Sequence, residues 1–200
     1  DDINLNNDPH HNSYAYSKTQ AEQSARSKYR EQNRWQLISI HPGAIFGPSL
    51  STGVGATSVK MMLQFLNGSF RNGVPRLSLG LVDVRDVALA HVNAALLPKV
   101  QGRYIVVGQP LRLLQMASLM RVDEAGLQNR LPRHELPKIL MWLLAPMVGM
   151  QRGYVTRNVG YDIYFDNARS ISELGLQYHS PEDTLNDHIK QIVSDGLLAT

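Results

Sequence analysis

Two side chains near the start of the chain have types and spacing suited to acid–base chemistry. Tyr14 and Lys18 are four residues apart, so on a helix they project from one face about one turn apart. A nearby ammonium group favours the phenolate form of a tyrosine, which makes the phenol a better proton donor near neutral pH. General acid catalysis at a carbonyl requires such a donor. The same spacing also fits a tyrosine packed on a sheet beside a solvated lysine, so the surrounding segments must decide.

The segment around this pair predicts a helix that positions it. The polar stretch before Ser13 contains Pro9 and reads as a loop, and Ser13 or Asn12 could cap a helix that runs to about Gln32. We expect the inner face of this helix to carry small alanines that allow it to lie close to a sheet, together with the two reactive residues. That face consists of Tyr14, Lys18, Ala21 and Ala25.

Four motifs, in this order, resemble the extended short-chain dehydrogenases/reductases. They are Y-A-Y-S-K-T-Q-A-E at 14–22, H-P-G-A-I-F-G-P at 41–48, V-D-V-R-D-V-A at 82–88, and F-D-N at 165–167 leading to E-L-G at 173–175. Within that family the chain is most similar to the branch of dihydroflavonol reductases, cinnamoyl-CoA reductases and bacterial aldehyde reductases. The resemblance covers the chain from Tyr14 to about Ile192.

The resemblance implies an NAD(P)H-dependent oxidoreductase that reduces a ketone or aldehyde to an alcohol. Tyr14 would be the general acid, and Lys18 would hold the ribose hydroxyls and keep Tyr14 acidic. The cofactor would be NADP, or NAD, and the partner a small carbonyl substrate. The cofactor-binding residues would be Tyr14, Lys18, Pro42, Gly43, Ala44 and Ile45, and the substrate side would begin with Phe46 and Pro48.

The chain departs from the family pattern at the pyrophosphate site. No G-x-x-G-x-x-G or G-x-G-x-x-G occurs, and Gly53-Val54-Gly55 lacks a suitably spaced third glycine. The catalytic Ser or Thr of the family also lies upstream of the tyrosine. We therefore expect the chain to be the C-terminal part of a longer enzyme. Two alternatives stay open: a nucleotide-sugar epimerase or dehydratase, which uses the same Tyr and Lys, and a noncatalytic fragment.

The remaining patterns predict an α/β fold, a Rossmann-like parallel sheet with a smaller, mostly helical substrate lobe. Residues 1–110 would form the end of the dinucleotide-binding domain, with 44–75 contributing to the lobe, and 111–200 mainly the lobe and the last helices. Strands are predicted over 35–41, 76–82, 102–108 and 161–165, and helices over 57–66, 111–122, 139–150, and after Asp83, Asn167 and Ser180. The helix after Asp83 is predicted to bury the apolar stripe Val84, Val87, Ala88, His91, Val92 and Ala95, in which His91 is a packing residue.

Composition excludes several other classes of protein. The net charge of +3 comes from scattered Lys and Arg, which does not predict a nucleic-acid surface. There is no cysteine, no H-E-x-x-H and no G-x-S-x-G, and His10-His11 are adjacent, so no metal site or hydrolase is expected. The apolar run Ile139 to Met150 is too short to span a membrane, although it could touch lipid. A cytoplasmic location is expected, and a homodimer is possible.

Overall fold

The computed structural model describes residues 13–50, 55–122 and 126–198. The predicted loop over 1–12 with its candidate cap Asn12, and the residues Gly53 and Val54, lie outside that part. The helices are α1 (Ser13–Arg30), α2 (Thr57–Leu66), α3 (Val84–Leu96), α4 (Leu113–Leu119), α5 (Lys138–Leu144), α6 (Arg152–Asn158), α7 (Ala168–Leu174) and α8 (Pro181–Ser194). The strands are β1 (Ile38–Pro42), β2 (Ala44–Phe46), β3 (Val74–Pro75), β4 (Ser78–Asp83), β5 (Gly102–Val106), β6 (Gln109–Arg112) and β7 (Glu135–Leu136). This order of strands and helices confirms the predicted α/β class.

The sheet is parallel where the chain crosses over through helices. β1 pairs with β5, from Ile38 opposite Gly102 to Pro42 opposite Val106. After Gly43 the chain pairs with a different strand, since β2 lies parallel to β4 rather than to β5. Two short strands, β3 and β7, form a further parallel pair. β6 lies antiparallel to β4 and was not predicted.

Several helix boundaries follow from their capping residues, as the sequence predicted. The carboxylate of Asp83 accepts a hydrogen bond from the backbone N–H of Arg85 at 2.8 Å and caps α3. The hydroxyl of Ser180 accepts from the N–H of Asp183 and caps α8. α2 occupies the predicted range of residues. α7 ends at Gly175, whose φ of 65° is in the left-handed region.

Other predicted elements were wrong in extent or kind. The predicted helix over 111–122 is shorter, because β6 occupies its start. The predicted strand over 161–165 is irregular chain. The predicted helix over 139–150 is divided into α5 and a 3-10 helix, Ala145–Val148, since Pro146 cannot continue the hydrogen bonding of α5.

The predicted inner face of α3 was also wrong. Its buried apolar residues are Val87, Ala90 and Ala94, whereas His91 and Val92 are exposed. Ala88 and Ala95 of the predicted stripe are exposed as well, and Val84 is half-buried. The helix is rotated in this way because Asp86, a polar residue, is buried with a partner from another segment.

Three groups of buried apolar residues fill the spaces between these elements. The largest lies between α2, β4, α4 and α8 and includes Met62, Leu81, Met116 and Ile192. A second lies between α3, β5 and α7, and a third, small group joins α5 to α6. The predicted division of the chain near residue 110 stays a prediction.

Candidate active site

The structure brings Tyr14 and Lys18 together on one face of α1. Lys18 Nζ lies over the Tyr14 ring, 5.5 Å from its centroid, which is within the range of a cation–π contact. The hydroxyl of Ser17 donates to the carbonyl oxygen of Tyr14 at 2.8 Å. Both side chains are exposed, Tyr14 by 72%. A small molecule could therefore reach both groups.

The sheet-facing side of α1 differs from the prediction. None of its residues is fully buried, and Tyr14, Lys18 and Ala21 face away. The half-buried positions include a stripe at helical spacing, which consists of Ala15, Thr19, Glu22 and Arg26. Of the predicted face only Ala25 is half-buried, and the prediction failed for the other three residues because α1 contacts the sheet mainly through a polar group.

That polar group is centred on Glu22. Arg103 of β5 reaches its carboxylate with Nε at 2.9 Å and Nη2 at 3.1 Å. Arg26 Nε lies 3.1 Å away, and His41 Nε2 lies 3.7 Å away. Burial lowers the pKa of His41, although Glu22 acts in the opposite direction. The cations next to Glu22 at neutral pH are therefore arginines.

The contacts of α1 also fix its direction. Arg26, Tyr29 and Arg30 line a cavity of about 430 Å³ with residues at the beginnings of β1 and β5, such as Ser39 and Gly102. Glu22, earlier in the helix, meets His41 near the end of β1. α1 therefore runs antiparallel to both strands.

This direction determines where Tyr14 and Lys18 lie relative to the ends of the strands. At a rise of about 1.5 Å per residue, Lys18 and Tyr14 lie about 6 and 12 Å farther than Glu22 towards the carboxyl ends of the strands. Ligands of open parallel α/β sheets bind beyond those ends. The pair is therefore at the edge of the sheet where a ligand of such a fold is expected.

The loop predicted to meet the nicotinamide begins with an exposed Pro42 and a close backbone contact at Gly43. A Cβ at Gly43 would collide with the carbonyl oxygen of Gly80, and the Gly43 N–H donates to the carbonyl of Val106 at 3.1 Å. The glycine is thus required by the sheet itself. Ala44 and Ile45 are half-buried in β2.

The two predicted substrate residues lie in different environments. Phe46 is 2% exposed and its ring meets the ring of His188 edge-on, with 6.1 Å between centroids. Pro48 is half-buried. The roles of both residues stay predictions, and the burial of Phe46 does not favour direct contact with substrate.

Sequence reasoning assigned no role beyond helix capping to Asp83, which forms a buried charged cluster. Its carboxylate, 1% exposed, accepts from Arg85 Nε at 2.9 Å, from Arg85 Nη2 at 2.7 Å and from the hydroxyl of Thr184 at 2.8 Å. Arg85 Nη1 also reaches Asp187 at 3.0 Å. Burial alone would raise the pKa of Asp83, but the hydrogen bonds from Arg85 and Thr184 hold it below its ordinary value.

His188 of α8 supports the loop that follows Phe46. Its Nδ1 accepts from the N–H of Gly47 at 3.2 Å, so the neutral ring carries its proton on Nε2. Gly47 has a φ of 113°, and a Cβ there would lie 3.2 Å from Asp83 Oδ1. Burial lowers the pKa of His188 to about 4. Its Nε2 is buried without a hydrogen-bond partner among the described residues.

Two further motif residues join distant segments. Asp86 Oδ1 lies 2.6 Å from His179 Nδ1, and Asp86 Oδ2 accepts the backbone N–H of His179 at 3.0 Å. Asn167 Nδ2 donates to the carbonyl of Val107 at 2.7 Å. The motifs at 82–88 and 165–167 therefore hold the sheet and α8 in position. Their unusual density of charged and amide residues was the available sequence signal.

Two kinds of site do not occur among the described residues. No group of three or more His, Cys, Asp or Glu side chains in 13–50, 55–122 and 126–198 could hold a metal ion. Over the same ranges, no helix combines the length and the apolar character needed to cross a bilayer.

Comparison with known proteins shows related reductases. No family model matches the chain. It is 30% identical over 187 residues to tetraketide alpha-pyrone reductase 1 of Arabidopsis thaliana, covering 94% of this chain and 50% of that protein. It is 29% identical over 188 residues to cinnamoyl-CoA reductase 1 of the same plant, covering 94% and 48%. The chain thus spans about half the length of these relatives.

Solved structures of similar fold include a reductase and an epimerase. Yeast methylglyoxal/isovaleraldehyde reductase Gre2 complexed with NADPH has a TM-score of 0.65 and 23% identity, covering 90% of this chain and 54% of that one. A nucleoside-diphosphate-sugar epimerase from Pseudomonas aeruginosa has a TM-score of 0.66 and 19% identity, covering 100% and 60%. These similarities confirm the predicted Rossmann-like fold. The sequence similarity over nearly the whole chain and the shared fold agree with the resemblance to the extended short-chain dehydrogenases/reductases.

Proposed function

We propose that this chain carries the catalytic helix of an NADPH-dependent reductase that converts a ketone or aldehyde into an alcohol. The observation that carries the proposal is the exposed pair of Tyr14 and Lys18, one turn apart beyond the carboxyl end of the sheet. The names of the sequence relatives, which are reductases, support the same reaction class.

The residues present fit one end of the cofactor. The ammonium of Lys18 is exposed and can donate to ribose hydroxyls, and the neighbouring phenol can approach a carbonyl bound beside the nicotinamide. The sequence holds no glycine-rich turn for a pyrophosphate. The preference for NADPH over NADH rests on similarity to the reductase complexed with NADPH.

When bound, NADPH supplies the hydride that reduces the carbonyl carbon. The Tyr14 hydroxyl donates a hydrogen bond to the carbonyl oxygen and transfers its proton as negative charge develops there. The positive charge of Lys18 then stabilises the phenolate that remains on Tyr14. Tyr16, two residues along the helix, points about 200° away from this site and is half-buried, so it takes no part in the reaction.

The test compares Tyr14→Phe with Tyr16→Phe, each made in a form of the protein extended upstream through its gene, because the present sequence holds no glycine-rich turn for the pyrophosphate. NADPH binding is measured by fluorescence titration, and turnover of a small aldehyde by loss of NADPH absorbance. Tyr14→Phe should lower kcat by about 10²- to 10⁴-fold while leaving the Kd of NADPH nearly unchanged, because only the proton donor is removed. Tyr16→Phe should keep both. Full turnover by Tyr14→Phe, or an absence of NADPH binding by the unsubstituted extended form, would overturn the proposal, and the second result would indicate a noncatalytic relative.

A nucleotide-sugar epimerase is the second candidate, favoured by the equally similar fold of the Pseudomonas aeruginosa epimerase. Mass spectrometry of the purified protein distinguishes the two. A co-purified uridine or thymidine diphosphate sugar would indicate an epimerase. The carbonyl substrate, a homodimer and a cytoplasmic location belong to the reductase proposal and follow from the resemblance alone.

A further inference from the structure

The segment from Lys138 to Asn158 forms a helical hairpin with its own small core. α5 and the 3-10 helix after it pack on α6 through Met141, Ala145, Val155 and Val159, which are buried. The chain on either side attaches this α5–α6 hairpin to the body, since β7 pairs with β3 and the Gly160 N–H donates to the Arg76 carbonyl at 2.8 Å. The hairpin is therefore a fixed part of the molecule.

The outer side of the hairpin is apolar as well. Ile139 and Leu143 lie one turn apart on α5 and are 76% and 55% exposed, and Met147 of the 3-10 helix is 83% exposed. We call these three residues the outer stripe. Leu140 and Trp142 flank it and are also exposed. Single exposed apolar residues are ordinary, but a contiguous patch marks a surface that another apolar phase covers.

The charged residues within the hairpin segment itself all have one sign. Between residues 136 and 161 the chain contains Lys138, Arg152 and Arg157 and no acidic residue. The Arg152 guanidinium lies over the Trp142 ring at 4.5 Å, and Lys138 Nζ lies over the Tyr161 ring at 4.4 Å. Aromatic rings beside basic groups at the border of an apolar face are typical of elements that lie in the headgroup region of a bilayer.

The length and the charge of the hairpin limit what can cover it. α5 and the 3-10 helix together extend about 18 Å, well short of a bilayer core of about 30 Å, so they can lie along a membrane but cannot cross it. A symmetric contact between two copies would bring the same basic residues together with no acidic residue of the segment to balance them. An anionic lipid surface complements both the stripe and its charges.

We propose that the α5–α6 hairpin docks this protein on the surface of an anionic membrane. Ile139, Leu143 and Met147 enter the boundary between headgroups and acyl chains, while the exposed Arg152 meets lipid phosphates. The catalytic proposal for Tyr14 does not depend on this surface.

The test measures vesicle binding by the full chain. Vesicles of phosphatidylcholine with phosphatidylglycerol are compared with vesicles of phosphatidylcholine alone, by co-sedimentation at low and high salt. In a Trp35→Phe background Trp142 is the only tryptophan, and its emission should shift to shorter wavelength on binding. We expect binding to the anionic vesicles that weakens with salt. No binding, or no shift of Trp142 emission, would overturn the proposal.

Substitutions locate the contact. Replacing the stripe by Ile139→Ser, Leu143→Ser and Met147→Ser should weaken vesicle binding by roughly tenfold or more, because buried apolar groups provide the affinity. The matched control is Leu89→Ser with Val92→Ser on α3, whose side chains are 44% and 51% exposed, and it should bind like the unsubstituted chain.

Two outcomes contradict the proposal at this stage. Equal loss in the stripe variant and the α3 control would indicate nonspecific adsorption. The second outcome is a protein that does not bind vesicles and is a dimer in light scattering. If the stripe substitutions dissociate that dimer, the surface binds a second copy of the chain. Circular dichroism checks the fold, and Met147→Ser alone, at the most exposed position of the stripe, serves if the triple variant unfolds.

Discussion

Glu22 of α1 and Arg103 of β5 form a two-point ion pair, with Arg103 Nε and Nη2 at 2.9 and 3.1 Å from the Glu22 carboxylate oxygens. Both side chains are largely shielded from solvent, at 15% and 23% exposure. α1 buries no apolar residue, so this ion pair substitutes for the hydrophobic contact that usually holds a helix on a sheet. The position of Tyr14 and Lys18 therefore depends on it.

Glu22→Gln should loosen α1 from the sheet. The substitution leaves Arg103 without a full counter-charge, and we expect a loss of about 1–3 kcal/mol in the free energy of unfolding, faster amide exchange along α1 and a lower kcat. Glu31→Gln, at an exposed position just beyond α1, is the control. Hydrogen exchange by mass spectrometry compares them, and equal exchange along α1 in both variants would contradict the role of the pair.

His188 should make the protein acid-sensitive. Its pKa in the fold is about 4, below its ordinary value of 6.5, because burial disfavours the charged ring. Between pH 4 and pH 6.5 the unfolded chain binds more protons than the folded one. The contribution of neutral His188 to the free energy of unfolding is therefore complete above pH 6.5 and is lost as the pH falls towards 4. The loss approaches roughly 3 kcal/mol.

Urea unfolding at several pH values measures this effect. His188→Gln, whose amide oxygen can still accept the Gly47 N–H, should flatten the dependence between pH 6.5 and 4. His91→Gln, at an exposed position, is the control. A slope that is the same in all three proteins would exclude His188 as its source.

Gly43→Ala should be strongly destabilising. The new methyl group would collide with the Gly80 carbonyl oxygen, where two backbones cross without room for a side chain, and we expect a loss of about 2 kcal/mol or more. Gly153→Ala in α6 is the control. A Cβ there meets no atom within 4 Å, and alanine should stabilise the helix by about 0.5–1 kcal/mol. Thermal unfolding of both variants gives the comparison, and similar Tm values would refute it.

Asp83→Asn should unfold the protein more readily than a substitution of an exposed carboxylate. The amide cannot balance Arg85, whose side chain is 38% exposed, and the loss of charge-assisted hydrogen bonds at the buried carboxylate should cost about 1–3 kcal/mol. Asp183→Asn on the exposed start of α8 should cost less than 1 kcal/mol. Chemical unfolding measures both, and a small loss for Asp83→Asn would show that Arg85 finds enough compensation from Asp187.

The sequence predicted an element correctly where the residues that define the element lie within it or next to it. The apolar period of α2 and the caps Asp83 and Ser180 lie within a few residues of the elements they define, and these predictions were confirmed. β6 was missed because Pro110 lies within it, and proline is tolerated in a strand only near an edge. α6 was missed because Arg152–Asn158 is short and has no apolar period.

The candidate site followed the same rule. The Tyr14 and Lys18 pair could be predicted because one helical turn contains it. The partner of Glu22 is on β5, and the partner of Asp86 is next to α8. No local sequence pattern around Glu22 or Asp86 indicates these partners, so the rotation of α1 and of α3 could not be predicted.

The bond between Asp83 and Thr184 also has a consequence for how the chain folds. The two residues are 101 positions apart, and Asp86 is 93 positions from His179. During synthesis, β4 and α3 are complete long before α8 emerges, and until then both carboxylates lack these partners. Such nonlocal contacts slow folding, so the final packing of β4 and α3 should wait for the last helix of the chain.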